Sequence, residues 1–191
     1  VILRRDSRIR IVDLTHEVPP QAIGTASYLL ATTFRDFPSA TVHTVVVDPG
    51  VGSARAPIVC AAGGFHFVGP DNGVLGWTLR ECGSAQVRRI ENPELLQGRG
   101  SSTFHGRDIF APAAAALATG FDFEDVGPLH PDWKQGDQLL TVPPEEGTTE
   151  VTVLHIDHFG NLILNLRSRD VADLSAIRVE LGGQEVNESR R

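Results

Sequence analysis

No methionine occurs anywhere in the 191 residues, and there are only two cysteines, Cys60 and Cys82. Without methionine there is no initiator. The chain starts in mid-pattern on VILRR and stops on GGQEVNESRR just after a strand-like run, so a fragment lacking both ends is expected. Two cysteines far apart, with no CxxC spacing, exclude a disulfide framework or a zinc knuckle and predict the reduced thiols of a cytoplasmic protein. Cys60, in PIVCAA, reads as a small core residue. No apolar run approaches the ~20 residues that cross a bilayer, and the first residues alternate charged and aliphatic side chains without the apolar centre of a signal peptide. Basic residues are in deficit: 17 Lys and Arg against 24 Asp and Glu leave a formal charge of −7. That excludes the concentrated basic surface a nucleic acid requires. The pairs Arg4-Arg5, Arg88-Arg89 and Arg190-Arg191 read as solvated faces or ends. Absent as well are GxGxxG, a Walker loop, GxSxG and HExxH.

A hydrophobic fraction of 41% with 21% charged residues is that of a soluble globular chain, long enough for one domain or a domain plus a small appendage. RIRIVDL, Arg8 to Leu14, alternates polar and apolar residues and predicts a strand. Pro20 breaks that pattern, and Ile23, Ala26, Leu29, Leu30 and Phe34 then put one apolar face on a helix ending near Phe37-Pro38. TVHTVVVD predicts another strand, whose unbroken Val45, Val46 and Val47 predict burial on both faces, as in a parallel sheet covered by helices. APIVCAAGGFHFVGPDNG reads as two strands about a Gly63-Gly64 turn, closed by a Pro-Asp-Asn-Gly turn. VLGWTLREC predicts a short helix, AQVRRI a strand, and HGRDIFAPAAAALATG an alanine-rich helix stopped at Gly120. Beyond a stretch rich in Pro, Asp, Glu and Gly come EVTVLHID, NLILNL and IRVEL, all strand-like. The expected fold class is α/β: an N-terminal α/β domain over 1–125 with a central, mostly parallel sheet, a linker over 126–148, and a partial, all-β C-terminal domain over 149–191.

The first stretch that carries chemistry is VVVDPGVGSAR, where Asp48 closes a strand and Arg55 follows seven residues later. Ligands of open α/β sheets bind beyond the carboxyl ends of strands, which places Asp48 for work. Capping the Pro49-Gly50 turn is an equally available job for an aspartate. In STFHGRD, His105 precedes Gly106 at a helix mouth and follows Ser101, Ser102 and Thr103, a density of hydroxyls that fits a polar pocket. Arg107 and Asp108 are either site residues or first-turn partners of each other. His16 and Glu17 stand at another strand end, whereas His43 and His66 lie within alternating strands and read as packed. His155 and His158 flank Asp157, but along a strand and turn their side chains diverge, so no metal is expected. In DHFGNLILN a hairpin turn suffices as an explanation, and Asp157, Phe159 and Asn161 could equally grip a zwitterionic ligand.

Five segments in order, DLTHEVPPQ, VVVDPGVGSAR, FVGPDNGVL, STFHGRDIFAPAAA and HIDHFGNLILN, resemble the S-adenosyl-L-methionine (SAM) hydroxide adenosyltransferases, or SAM hydrolases, relatives of fluorinase and chlorinase. The resemblance runs from Ile11 to about Leu166. It implies attack of water on C5′ of the SAM ribose, giving adenosine and L-methionine, with Asp48, Arg55 and His105 as the water-handling residues. The halide-using relatives carry Tyr, Thr and Ser where this chain has Asp48, Val51 and Gly106, so the hydroxide branch is implied. Gln21, which stands where fluorinase has Trp, together with Pro49, Val51, Thr103, Phe104 and Gly106, is implied to line the substrate site. Asp157, Phe159 and Asn161 match the segment that holds the methionine end. A homotrimer is implied, with the site between one subunit's first domain and a neighbour's second, and no cofactor or metal. Two family features are not matched: an opening strand ending in TDFG, and the strands and arginine-bearing loop beyond IRVEL. The alternatives are a halide adenosyltransferase, a non-catalytic nucleoside-binding module and, more remotely, a metal hydrolase.

Overall fold

The structure, a computed structural model, describes residues 1–96, 103–137, 147–171, 173 and 177–186. Its chain falls into two compact units, Val1–Gln138 and Leu139–Arg191. Ser101 and Ser102 lie outside the described residues, as does part of the expected linker.

The sheet of the first unit is built outward from a hairpin. Gly63 and Gly64, at φ 58° and 83°, supply the two left-handed residues of a tight turn between β2 (Pro57–Ala62) and β3 (Phe65–Pro70). A tight hairpin can only be antiparallel, and β4 (Ala85–Arg89) adds to β2 in the same sense. β1 (Val42–Thr44) joins the far side of β3 in parallel, giving the order β1-β3-β2-β4. The sheet is therefore mixed, with one parallel pairing and two antiparallel ones, and not mostly parallel as expected. The Val45–Val47 run also corrects the sequence reading. Its ladder ends at β1, an edge strand, and Val46 is exposed while Val45 and Val47 pack on the core.

Side-chain alternation divides the core. Ile58, Cys60 and Phe67 meet Leu30 and Phe34, from α2 (Ile23–Thr33) and the 3₁₀ turn after it, and Leu79 of α3 (Gly76–Cys82). Val59 and Val68 point the other way, into Phe110 and α4 (Ala111–Ala118). Helices thus cover both faces. Pro112 to Leu117 are all buried, because the alanines let α4 lie close to the sheet on one side and to α1 (Ile2–Arg5) on the other.

Arg8–Leu14 is not a strand. It finds no partner in the sheet, and without one its backbone N–H and C=O groups have no ladder to join. Ile11, Val12 and Leu14 are left exposed. Residues 126–137 pack within the first unit: Val126 is buried, and the His130 N–H donates to the Val87 carbonyl at 2.8 Å. The described part of the second unit consists of two antiparallel hairpins, β5 (Val153–Ile156) with β6 (Leu162–Leu164) and β7 (Val179–Leu181) with β8 (Gln184–Val186), and a 3₁₀ turn at Ser168–Asp170.

His43 is enclosed by phenylalanines. It stacks on Phe67 at 5.3 Å and meets Phe34 and Phe37 edge-on at 6.4 and 5.4 Å. Its Nε2 is buried without a partner among the described residues, and burial pushes its pKa below the ordinary 6.5. The unfolded chain therefore takes up a proton here at a pH where the folded chain still refuses it. The stability this site contributes is full above pH 6.5 and declines as pH falls below it. His66 shifts in the same direction by burial. His43→Phe should flatten the fall of Tm between about pH 6.5 and 5; thermal melts across that range would remove His43 as a contributor if the slope is unchanged.

Candidate active site

Asp48 and Arg55, from the two ends of one loop, and His105, from a distant segment, meet in one cluster, with the first two buried and His105 half-buried. The chain leaves β1, reaches Asp48, and turns at Pro49-Gly50, where the Val51 N–H donates to the Asp48 carbonyl at 3.2 Å. The Ser53 hydroxyl bonds the Gly50 carbonyl at 2.6 Å and accepts from the Arg55 N–H at 3.3 Å, which closes the loop and returns Arg55 toward Asp48. Arg55 Nε–H donates to Asp48 Oδ1 at 2.9 Å, and Nη2–H donates to Oδ2. The two side chains are only 4% and 5% exposed, so the pair is removed from water. Beneath the guanidinium lies the ring of Phe110, 5.1 Å from Cζ.

His105 reaches the cluster from the α4 side, at the start of one turn of π-helix, Gly106–Phe110, that runs into α4. Its Nδ1 stands 2.7 Å from Arg55 Nη2. A guanidinium has no lone pair to offer, so Nδ1 must be the acceptor and the neutral ring carries its proton on Nε2. Arg55 Nη1 is buried without a partner among the described residues. Gly106 faces Val46, whose Cγ1 would be 3.6 Å from an added Cβ, ordinary contact that leaves a small side chain room.

The remaining candidates divide. Arg107 grips Asp108 through Nε at 2.6 Å and Nη2 at 2.9 Å, which holds the Asp108 carboxyl below the usual carboxylate range against the opposing effect of burial. The pair is thus a local one, and the Arg107 guanidinium lies over Phe104, 4.8 Å from its ring centre. Phe104, Thr103 and Val51 are exposed, and Gln21 sits at φ 68° in the turn ahead of α2. His16 pairs with Asp13, at 3.3 Å on the surface. In the second unit, Asp157 accepts from the Phe159 and Asn161 N–H groups, both at 2.8 Å, and from Asn161 Nδ2 at 2.7 Å. These bonds, the Asn161 side chain first, lower its pKa and make the carboxylate the hub of its own hairpin turn, with Phe159 87% exposed at the tip. Among the described residues no three His, Cys, Asp or Glu side chains group so as to hold a metal ion.

A family model described as the SAM hydroxide adenosyltransferase N-terminal domain matches residues 1–127. The chain belongs to the SAM hydroxide adenosyltransferase family. An (R)-S-adenosyl-L-methionine hydrolase of Salinispora arenicola is 42% identical over 166 residues, 86% of this chain and 63% of that protein. One from Thermus thermophilus is 40% identical over 97% of this chain and 72% of that protein. The crystal structure of an uncharacterized conserved protein from Thermotoga maritima superposes with a TM-score of 0.82 at 37% identity, covering 97% of this chain and 73% of that one. The chain spans 63% of the length of the Salinispora relative. Within this family member, sequence reasoning missed two contributors. Phe110 was not singled out within the alanine-rich helical segment, and Asn72 read only as part of a Pro-Asp-Asn-Gly turn. Nothing in the alanine-rich run marked the first, and nothing in PDNG marked the second.

Breaking a buried ion pair leaves an uncompensated charge, which costs about 3–5 kcal/mol. Arg55→Ala should therefore destabilise the first unit by that order, and Asp48→Ala/Arg55→Ala by less than the sum of the single changes. Urea unfolding of the double-mutant cycle tests this, and additive losses would show that the two charges do not depend on each other.

Proposed function

We propose that this chain hydrolyses SAM to adenosine and L-methionine, with Asp48, Arg55 and His105 activating the water that attacks ribose C5′. The observation that carries the reading is the Asp48–Arg55–His105 cluster, with its ion pair buried and Nε2–H of a neutral His105 left to donate. Departure of methionine from a sulfonium releases a neutral thioether, so the leaving group needs no acid. The difficulty lies in the weak nucleophile. A positioned base supplies ~10²–10⁴-fold, and holding the water in line with the departing sulfur supplies more. Each Asp48 oxygen bonded by Arg55 keeps a lone pair, so Asp48 can still accept the proton of a water. His105 cannot take it on Nδ1, which Arg55 occupies; through Nε2–H it orients an oxygen. Burial of the pair keeps bulk water from competing for these groups.

In this reading the α/β domain, over 1–125, carries the water-handling groups, with Gln21, Pro49, Val51, Thr103, Phe104 and Gly106 bordering the nucleoside. The β domain contributes Asp157, Phe159 and Asn161 to the methionine end. We extend it to a homotrimer whose sites combine the first domain of one subunit with the second of another, and to a reaction that uses neither metal nor cofactor. Two free thiols, Cys60 and Cys82, fit residence in the cytoplasm; among the described residues no helix is long and apolar enough to cross a membrane.

Incubation with SAM followed by chromatography should yield adenosine and methionine in equal amounts. Asp48→Asn should slow their release by ~10²–10⁴-fold. Arg55→Ala and His105→Ala should each be slow too, with effects that combine less than additively because all three act on one water. Turnover undiminished in Asp48→Asn would refute its role as base.

A further inference from the structure

Asp48 and Arg55 stand in the connection between β1 and β2, beyond the end of the first strand and before the start of the second, so no ladder registers them. The last bond between the Asp48 segment and β3 is the Val45 N–H to the Val68 carbonyl, at 3.0 Å. Gly69 then lets the two backbones close in, since an added Cβ would stand 2.8 Å from the Val45 carbonyl oxygen. Past that point a side chain takes over. Asn72 Nδ2–H donates to the Val47 carbonyl at 2.8 Å, one residue before Asp48, while its Oδ1 accepts from the Val74 N–H at 3.1 Å. The preceding residue of the same turn holds the other partner: the Asp71 N–H donates to the Ala56 carbonyl at 2.9 Å, one residue after Arg55. Two consecutive turn residues therefore grasp the backbone beside both members of the ion pair.

The turn is itself anchored. Asp71 is buried; its Oδ1 accepts from the Lys134 N–H at 2.7 Å, and its Oδ2 lies 2.9 Å from His130 Nε2. Asn72 thus transmits a fixed position and does not float with the loop.

We propose that Asn72 is a positioning residue, whose amide sets Asp48 at the height where its carboxylate meets Arg55 and faces the attacking water. The turnover part of this inference rests on the SAM-hydrolysis reading; the geometric part does not. Asn72 touches no reacting atom. Its contribution is the placement of the base, and a displacement of the order of 1 Å in such a group slows chemistry by ~10²-fold.

Asn72→Asp is the informative change, because it keeps the acceptor for the Val74 N–H and sets a carboxylate oxygen against the Val47 carbonyl in place of the donor, while Asn72→Ala removes the donor without adding charge. Asn72→Ala serves as the second variant should the first fail to fold, with circular dichroism checking both. Where the parent chain consumes SAM, kcat should fall by at least ~10-fold with KM within ~2-fold. An unchanged kcat, or a loss confined to KM, overturns the proposal. Whether or not SAM is consumed, the Arg55 Nε–H proton should give an exchange-protected NMR signal in the parent, which weakens or exchanges faster in the variants. A parent that is inert to SAM refutes the hydrolase reading alone, and the Arg55 signal then decides: lost protection supports the positioning role, and unaltered protection overturns it.

Discussion

Taking a carboxylate and a guanidinium out of water costs several kcal/mol for each ion, and only close, well-directed bonds offset it. The Asp48–Arg55 pair meets that demand from within the fold. Two parallel donors reach the carboxylate, Phe110 supplies a π face below the guanidinium, and His105 accepts a further N–H. Each of these neighbours needs its own support, from the helix that carries Phe110 and His105 to the turn that holds Val47 and Ala56. A surface pair of the same residues would need none of this and would do little chemistry. The cost of burial is therefore what ties the segment leading into α4 and the Asp71-Asn72 turn to one site.

The tautomer follows from the same pair. A histidine beside a carboxylate would ordinarily be free to offer either nitrogen. Here an arginine stands between them, and because arginine only donates, one nitrogen is committed to accepting. Two capacities therefore sit on adjacent groups, hydrogen-bond acceptance on a carboxylate oxygen and donation on a ring nitrogen.

Much of this was legible before the coordinates. Helical spacing located α2, the alanine-rich run α4 and the Gly-Gly pair the β2–β3 hairpin, and Asp48 with Arg55 after a glycine turn pointed to the candidate site. Illegible features share a cause: they depend on which backbone lies next to which. Alternation in Arg8–Leu14 is a necessary condition for a strand, but only a partner makes one. A run of three valines reads the same whether it leaves a sheet at its edge or crosses its centre. The amide of Asn72 looked like turn chemistry because its true acceptor lies 25 residues away. In the second unit the same local logic succeeded, since Asp157, Phe159 and Asn161 form their turn among themselves and leave the ring outward.

The π-helical turn at Gly106–Phe110 holds one residue more than an α-helical turn would, immediately after His105. Each residue of an α-helix rotates the chain by about 100°. Loss of one residue here would relax the turn to α geometry, yet would swing the imidazole most of a quadrant or more around the axis while α4 stayed packed on the sheet. Length variation is therefore barred from this short interval. Across descendants of this sequence, the spacing between His105 and Ala111 should drift more slowly than the identities of the residues that fill it.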